Sequence, residues 1–163
     1  MTTLILLARA VHVIAGIMWA GVAFVLITAI APIGRQYAQE GAERWTGLIA
    51  RKIGPMSGVA AMLTIISGGY LMAILHRGDS TWGGTVLKLG AAAAVAALIV
   101  GIAVARPAAL KLAALASRAT DAQVQQQMAQ LRQRAAVSTK LTGLLVALAV
   151  LSMALFRYVD VLR

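Results

Sequence analysis

The sequence contains no cysteine, which excludes disulfides, thiolate metal sites and thiol nucleophiles and leaves the redox compartment unspecified. Any metal would have to be held by histidine, methionine or carboxylate. Acidic residues are scarce as well, five against fifteen lysines and arginines. All of them, Glu40, Glu43, Asp79, Asp121 and Asp160, fall in expected connections or tails, so the apolar segments hold no paired carboxylates for general acid–base chemistry. No Ser-His-Asp set, phosphate-cradling glycine loop or zinc spacing is present, and hydrolysis is not supported. Charged residues make up only 12% of the chain, too few for a water-soluble domain.

What remains is apolar. Hydrophobic residues are 61% of the 163 and the mean hydropathy is +0.85, so the expected solvent is lipid. A helix needs about 20 mainly apolar residues to cross the hydrocarbon core, and the pattern predicts four such helices over about 4–31, 54–76, 85–106 and 136–156. The expected fold is all-α, an integral membrane four-helix bundle of up-down topology forming one domain. Pro32 and Gly34 are expected to stop the first helix, Pro55 to open the second in its first turn, and Pro107 to follow the end of the third. Thr120 and Gln123 read as a capping box. With Val124, Met128, Leu131 and Ala135 at helical spacing, they predict an amphipathic cytosolic extension of the fourth helix over about 120–135. Gly54 and Gly58 form a small-xxx-small pair suited to close helix contact, and the run Ala91 to Ala97 is a small-residue packing stretch. No basic n-region precedes the first apolar run, so the first helix is expected to be retained.

Basic residues predict the orientation. Ten of them (Arg35, Arg44, Arg51, Lys52, Arg106, Lys111, Arg118, Arg132, Arg134 and Lys140) lie in or beside the first and third connections, and four (Arg9, Arg77, Arg157 and Arg163) lie on the other side. The positive-inside rule then puts both termini and the short second connection on the outer side, in a bacterial inner (cytoplasmic) membrane crossed several times. The net charge of +10 reads as loop charge facing anionic headgroups, not as a nucleic-acid surface.

Ionisable groups at membrane depth are costly and mark function. His12 lies about eight residues, or roughly 12 Å, inside the first helix, too deep for an imidazole to reach the interface. Gly16 and Trp19 share its face, the glycine leaving a flat recess and the indole an aromatic wall, which suits a planar macrocycle. Lys88, early in the third helix, belongs to the same expected leaflet. His76 ends the second helix at that level, with Tyr70, Met72 and Trp82 near it in sequence. Each has a plainer reading beside the functional one: His12 as a buried histidine bonded to a neighbouring helix, Trp19 as packing, Lys88 reaching the headgroups, and His76 as an interfacial residue beside Arg77. The methionines form no compact motif, and gap-filling is their usual role.

The run His12-Val-Ile-Ala-Gly-Ile-Met-Trp19-Ala-Gly21, with Phe24 after it, resembles the first helix shared by HemJ-type protoporphyrinogen oxidases, CopD-type copper-resistance domains and the membrane domain of PuuD-type urate oxidases. Trp82 followed by Lys88-Leu89 is similar to the start of the HemJ third helix. The resemblance implies a b-type haem and functional roles for His12 and Lys88. It covers the first helix and the start of the third.

These observations predict a haem b or porphyrin-binding membrane protein with a redox or porphyrin-oxidation role. His12 would be the axial ligand, Gly16, Trp19, Tyr70 and Lys88 would line the cofactor, and His12 and Lys88 would act together if the chain is a HemJ-like oxidoreductase. One alternative is a CopD-like copper-handling protein with His12 and His76 as metal ligands. Another is a structural or assembly subunit of a larger membrane complex. The partners implied are the lipid bilayer, a redox partner or larger membrane complex, and further copies of the chain as a homo-oligomer; nucleic acid is not among them.

Overall fold

An apolar run too long to expose its backbone to lipid can satisfy its N–H and C=O groups only within itself, and the helix does so locally. The computed structural model describes residues 1–37, 42–115 and 122–161, and all their regular elements are helical. The first rod is α1 (Thr2–Val25), a π-helical turn (Leu26–Ile30) and α2 (Ala31–Gln36). The second is α3 (Ala42–Leu75). The third joins α4 (Trp82–Val100), a second π-helical turn (Gly101–Ala105) and α5 (Arg106–Leu115), and the fourth is α6 (Ala122–Val159). Each rod contains a stretch long and apolar enough to cross a membrane: Thr2–Gly34, Arg51–Leu75, Trp82–Leu112 and Ala122–Val159.

Successive rods run antiparallel. Gly16 of α1 lies against Thr64 of α3 while His12 lies against Gly68, and Gly83 of α4 meets Phe156 of α6 while Gly90 meets Ser152. The pairs α1–α3 and α4–α6 form the broad interfaces, and narrower α1–α6 and α3–α4 contacts close the ring. The centre is made of small side chains: Ala60, Ala61, Ala93, Ala94, Ala97 and Ala149 are buried around Trp19 and Val146. Large aliphatics point outward; Ile14 is 70%, Ile17 69% and Leu144 70% exposed. An alanine interior under an Ile/Leu exterior reverses the water-soluble arrangement, and small interior residues are what let helices approach closely in lipid.

Three boundaries differ from expectation, and proline is the cause each time. Pro55 stands inside α3 and not in its first turn; the helix already runs from Ala42. Pro32 and Pro107 do not end their rods. A proline ring clashes with the carbonyl four residues back, but here the backbone widens just before each one. The Ala31 N–H reaches the Leu26 carbonyl and the Arg106 N–H reaches that of Gly101, both five residues back, and the proline follows immediately. The π turn moves the offending carbonyl aside, so the rod continues. The expected extension over 120–135 is continuous with α6 from Ala122, whereas Thr120 of the capping box lies outside the described residues.

The close-approach glycines are also not the expected ones. A Cβ on Gly54 or Gly58 would meet nothing within 4 Å, whereas one on Gly90 would lie 2.6 Å from the Ser152 Cβ and 3.3 Å from the Ala149 carbonyl oxygen. Gly90→Val should therefore destabilise the α4–α6 pair by about 1–3 kcal/mol. Gly58→Ala should be neutral or stabilising by up to about 1 kcal/mol through helix propensity. Thermal unfolding of the two variants in the same detergent checks this: a lowered Tm for Gly90→Val and an unchanged or raised Tm for Gly58→Ala are expected.

Candidate functional site

His12 sits where α1 packs on α3, opposite Thr64, Ser67 and Gly68. His12 lies ten residues into α1, about 15 Å at the helical rise, and its ring is directed at α3. Nδ1–H donates to the Thr64 carbonyl oxygen at 2.9 Å, and the Ser67 hydroxyl lies 3.5 Å from the same nitrogen. A carbonyl oxygen has two lone pairs, so it can serve the helix ladder and the imidazole together. The local sequence makes room for this. A Cβ on Gly68 would come 2.7 Å from His12 Cε1 and 2.9 Å from Nδ1, so only glycine lets the ring lie on the α3 backbone. Thr64 and Ser67 turn their own hydroxyls back to the carbonyls of Ala60 and Leu63, which satisfies them without a partner from α1.

This bond fixes the chemistry of the ring. Because a carbonyl can only accept, the proton is on Nδ1, and a neutral imidazole then carries its lone pair on Nε2. Among the described residues Nε2 has no hydrogen-bond partner. A histidine whose Nδ1–H is pinned to a backbone carbonyl while Nε2 stays open has the outer-sphere arrangement that orients a metal-ligating imidazole.

The other expected site residues are distributed differently. Gly16 does sit one turn from His12, but it faces Thr64, whose Cγ2 would lie 3.7 Å from a Cβ added there. The recess that receives the ring belongs to Gly68. Trp19 is buried in the alanine core. Tyr70 is half-buried on α3, with no hydrogen bond to His12 among the described residues. His76 stands eight residues beyond Gly68, about 12 Å further along α3, and packs edge-on against Phe156 with ring centroids 5.6 Å apart. Lys88 is exposed, and its Nζ donates to the Asp79 carbonyl oxygen. The described cavities, of about 370 and 390 Å³, lie along α4, α5 and α6 and not beside His12.

His76 and Lys88 instead belong to a polar cluster at the α3–α4 junction. Gly78 adopts φ +79°, a left-handed turn that glycine takes without strain, and brings Asp79 back toward the start of α4. The Asp79 carboxylate accepts from the Thr81 N–H at 3.0 Å and the Thr81 hydroxyl at 2.7 Å, and lies 3.6 Å from His76 Nδ1. Thr81 in turn caps α4 by accepting from the Gly84 N–H at 3.0 Å, which is why α4 begins at Trp82, before the expected Thr85. Asp160, just past the end of α6, accepts from the Gly83 N–H at 3.1 Å, a carboxylate at the positive end of a helix.

Sequence reasoning missed Thr64, Ser67 and Gly68. The available signal was a run of small and hydroxyl residues in an apolar helix, the usual mark of a packed face. No family model matches this chain, and no curated protein or solved structure is similar to it.

The Thr81 hydroxyl and N–H, and then His76, hold the Asp79 carboxyl below its ordinary value. A depressed folded-state pKa contributes stability above the unfolded value, and that contribution is lost as pH falls through the folded one. NMR titration of the Asp79 carboxyl should show a midpoint below that of a free aspartate. Thr81→Ala should move the midpoint upward; an unmoved midpoint would put the cause elsewhere.

Proposed function

We propose that this chain is a multi-pass protein of a bacterial cytoplasmic membrane, with both termini on the outer side, in which His12 is the axial imidazole of a b-type haem or related metalloporphyrin in a redox role. The observation that carries the reading is the state of the ring. Nδ1 is held by the Thr64 carbonyl and Nε2 has no hydrogen-bond partner among the described residues, on a side chain ten residues into the first apolar span. The orientation rests on the asymmetry of basic residues between the two ends of the bundle.

A lone imidazole suits haem better than copper. A porphyrin supplies four of the iron's ligands and asks the protein for one or two, whereas a protein copper site must gather several donors. His12 and His76 do not converge, and among the described residues no group of three His, Asp or Glu side chains could hold a metal ion. The group bound at His12 would supply one-electron chemistry, and the chain would supply ligand, orientation and low dielectric. Thr64 and Gly68 set the ring's direction, and Ser67 adds a second dipole beside Nδ1. Since the described cavities lie elsewhere, lipid or a further copy of the chain would complete the enclosure. Lys88, held by the α3–α4 connection, acts there as a structural clamp.

Spectra of the full chain, expressed with ample haem and purified in detergent, test this. A Soret band that sharpens on reduction is expected, lost in His12→Ala and shifted or weakened in Gly68→Ala, where the added methyl displaces the ring. Wild-type protein without a Soret band, or His12→Ala retaining it, would overturn the reading.

A further inference from the structure

Between α5 and α6 lies a cavity of about 370 Å³ whose polar lining is Lys111, Gln127, Gln130 and Arg134. A second hollow, of about 390 Å³, follows along the same face of α6 and is lined chiefly by Val100, Val104, Val137 and Leu141. Arg134 lines both, so the two form one groove, cationic at one end and hydrocarbon at the other. The α6 wall runs seven residues from Arg134 to Leu141, about 10 Å. The opposite wall includes Val104, inside the second π-helical turn. Neither Lys111 nor Arg134 forms an ion pair among the described residues.

A small anion would use only the first hollow and an apolar molecule only the second. A molecule with an anionic head and a hydrocarbon tail uses both, in the order in which the groove presents them. We infer that this groove binds one anionic phospholipid. Its phosphate lies between Lys111 and Arg134, with the Gln127 and Gln130 amides as donors, and an acyl chain lies along Val104, Val137 and Leu141. A guanidinium matches phosphate with a planar pair of donors, and basic pockets between spanning helices are a known mode of headgroup recognition. The groove also lies at the end of the bundle that carries most of the basic residues, where headgroups of the inner leaflet would stand. The inference rests on the membrane-spanning reading and not on what His12 holds.

The test titrates the full chain in mild detergent with phosphatidylglycerol or phosphatidylcholine and counts bound lipid by native mass spectrometry, with circular dichroism confirming the fold of each variant. One phosphatidylglycerol is expected to bind preferentially. Lys111→Gln with Arg134→Gln should weaken it about 20- to 30-fold, taking roughly fivefold per cation. Arg51→Gln with Lys52→Gln, an equal loss of charge away from the groove, should change it less than twofold. Val137→Asn should weaken binding without altering charge, and it carries the test if the double variant does not fold. Equal losses in the two charge pairs would show diffuse surface attraction, equal retention of phosphatidylcholine would show no headgroup selection, and displacement of the lipid by excess inorganic phosphate would identify a plain anion site. Any of these overturns the inference. A pigment-free wild type that still selects phosphatidylglycerol would refute the haem reading and leave this one standing.

Discussion

Helices can exchange hydrogen bonds with a neighbour's backbone only if nothing bulky stands between them, and this bundle is organised around that closeness. Its central cluster is mostly alanine, with Trp19 as the one large buried ring among the described residues. At Gly68 the closeness admits an imidazole onto a carbonyl; at Gly83 it brings the Asp160 carboxylate to that residue's N–H; at Gly90 it seats α4 on Ser152. In an apolar solvent such approaches gain dispersion and polar contact where the hydrophobic effect offers little. The large aliphatics are left for the outer surface.

The two faces of polarity follow different rules. Between α1 and α3, the Thr64–Ser67–Gly68 face satisfies its own hydroxyls within α3 and spends a spare carbonyl lone pair on His12, so the ring is oriented by a backbone carbonyl. At the α3–α4 junction the charges themselves are used. Asp79 and Asp160 accept from the N–H groups of Thr81 and Gly83 at the start of α4, where a helix leaves donors open, and Lys88 donates to the Asp79 carbonyl in the connection. Two of the five acids thus each take up one backbone N–H at the start of α4.

Much of the architecture was legible in the residues. Four apolar runs gave four rods, the Ala91–Ala97 stretch is core, and the helical spacing from Val124 to Ala135 continues into α6. His12 does lie on the face of α1 that packs on α3. The other half of its environment was not legible, because which stretch of α3 would face it depends on how two helices are paired and staggered, and nothing local encodes that. Reading Gly54 and Gly58 as the close-contact pair, with Gly68 overlooked, reflects the same limit of local patterns. The reading of Lys88 rests on its place early in the third helix and on the resemblance there; its partner is a carbonyl in a turn that includes Gly78. Pro32 and Pro107 misled because local rules treat proline as a stop, and the backbone has a second way of receiving it.

That second way has a geometric consequence. A π turn holds one residue more than the α-helical turn it replaces, so everything beyond it is rotated by about 100° relative to an uninterrupted helix. The face of α5 that carries Lys111 therefore points where α4, simply prolonged, would have turned some other residue. Two rods with the same slip at the same end are out of phase with their own beginnings, and any stripe traced along them as single helices would blur at Leu26–Ile30 and Gly101–Ala105.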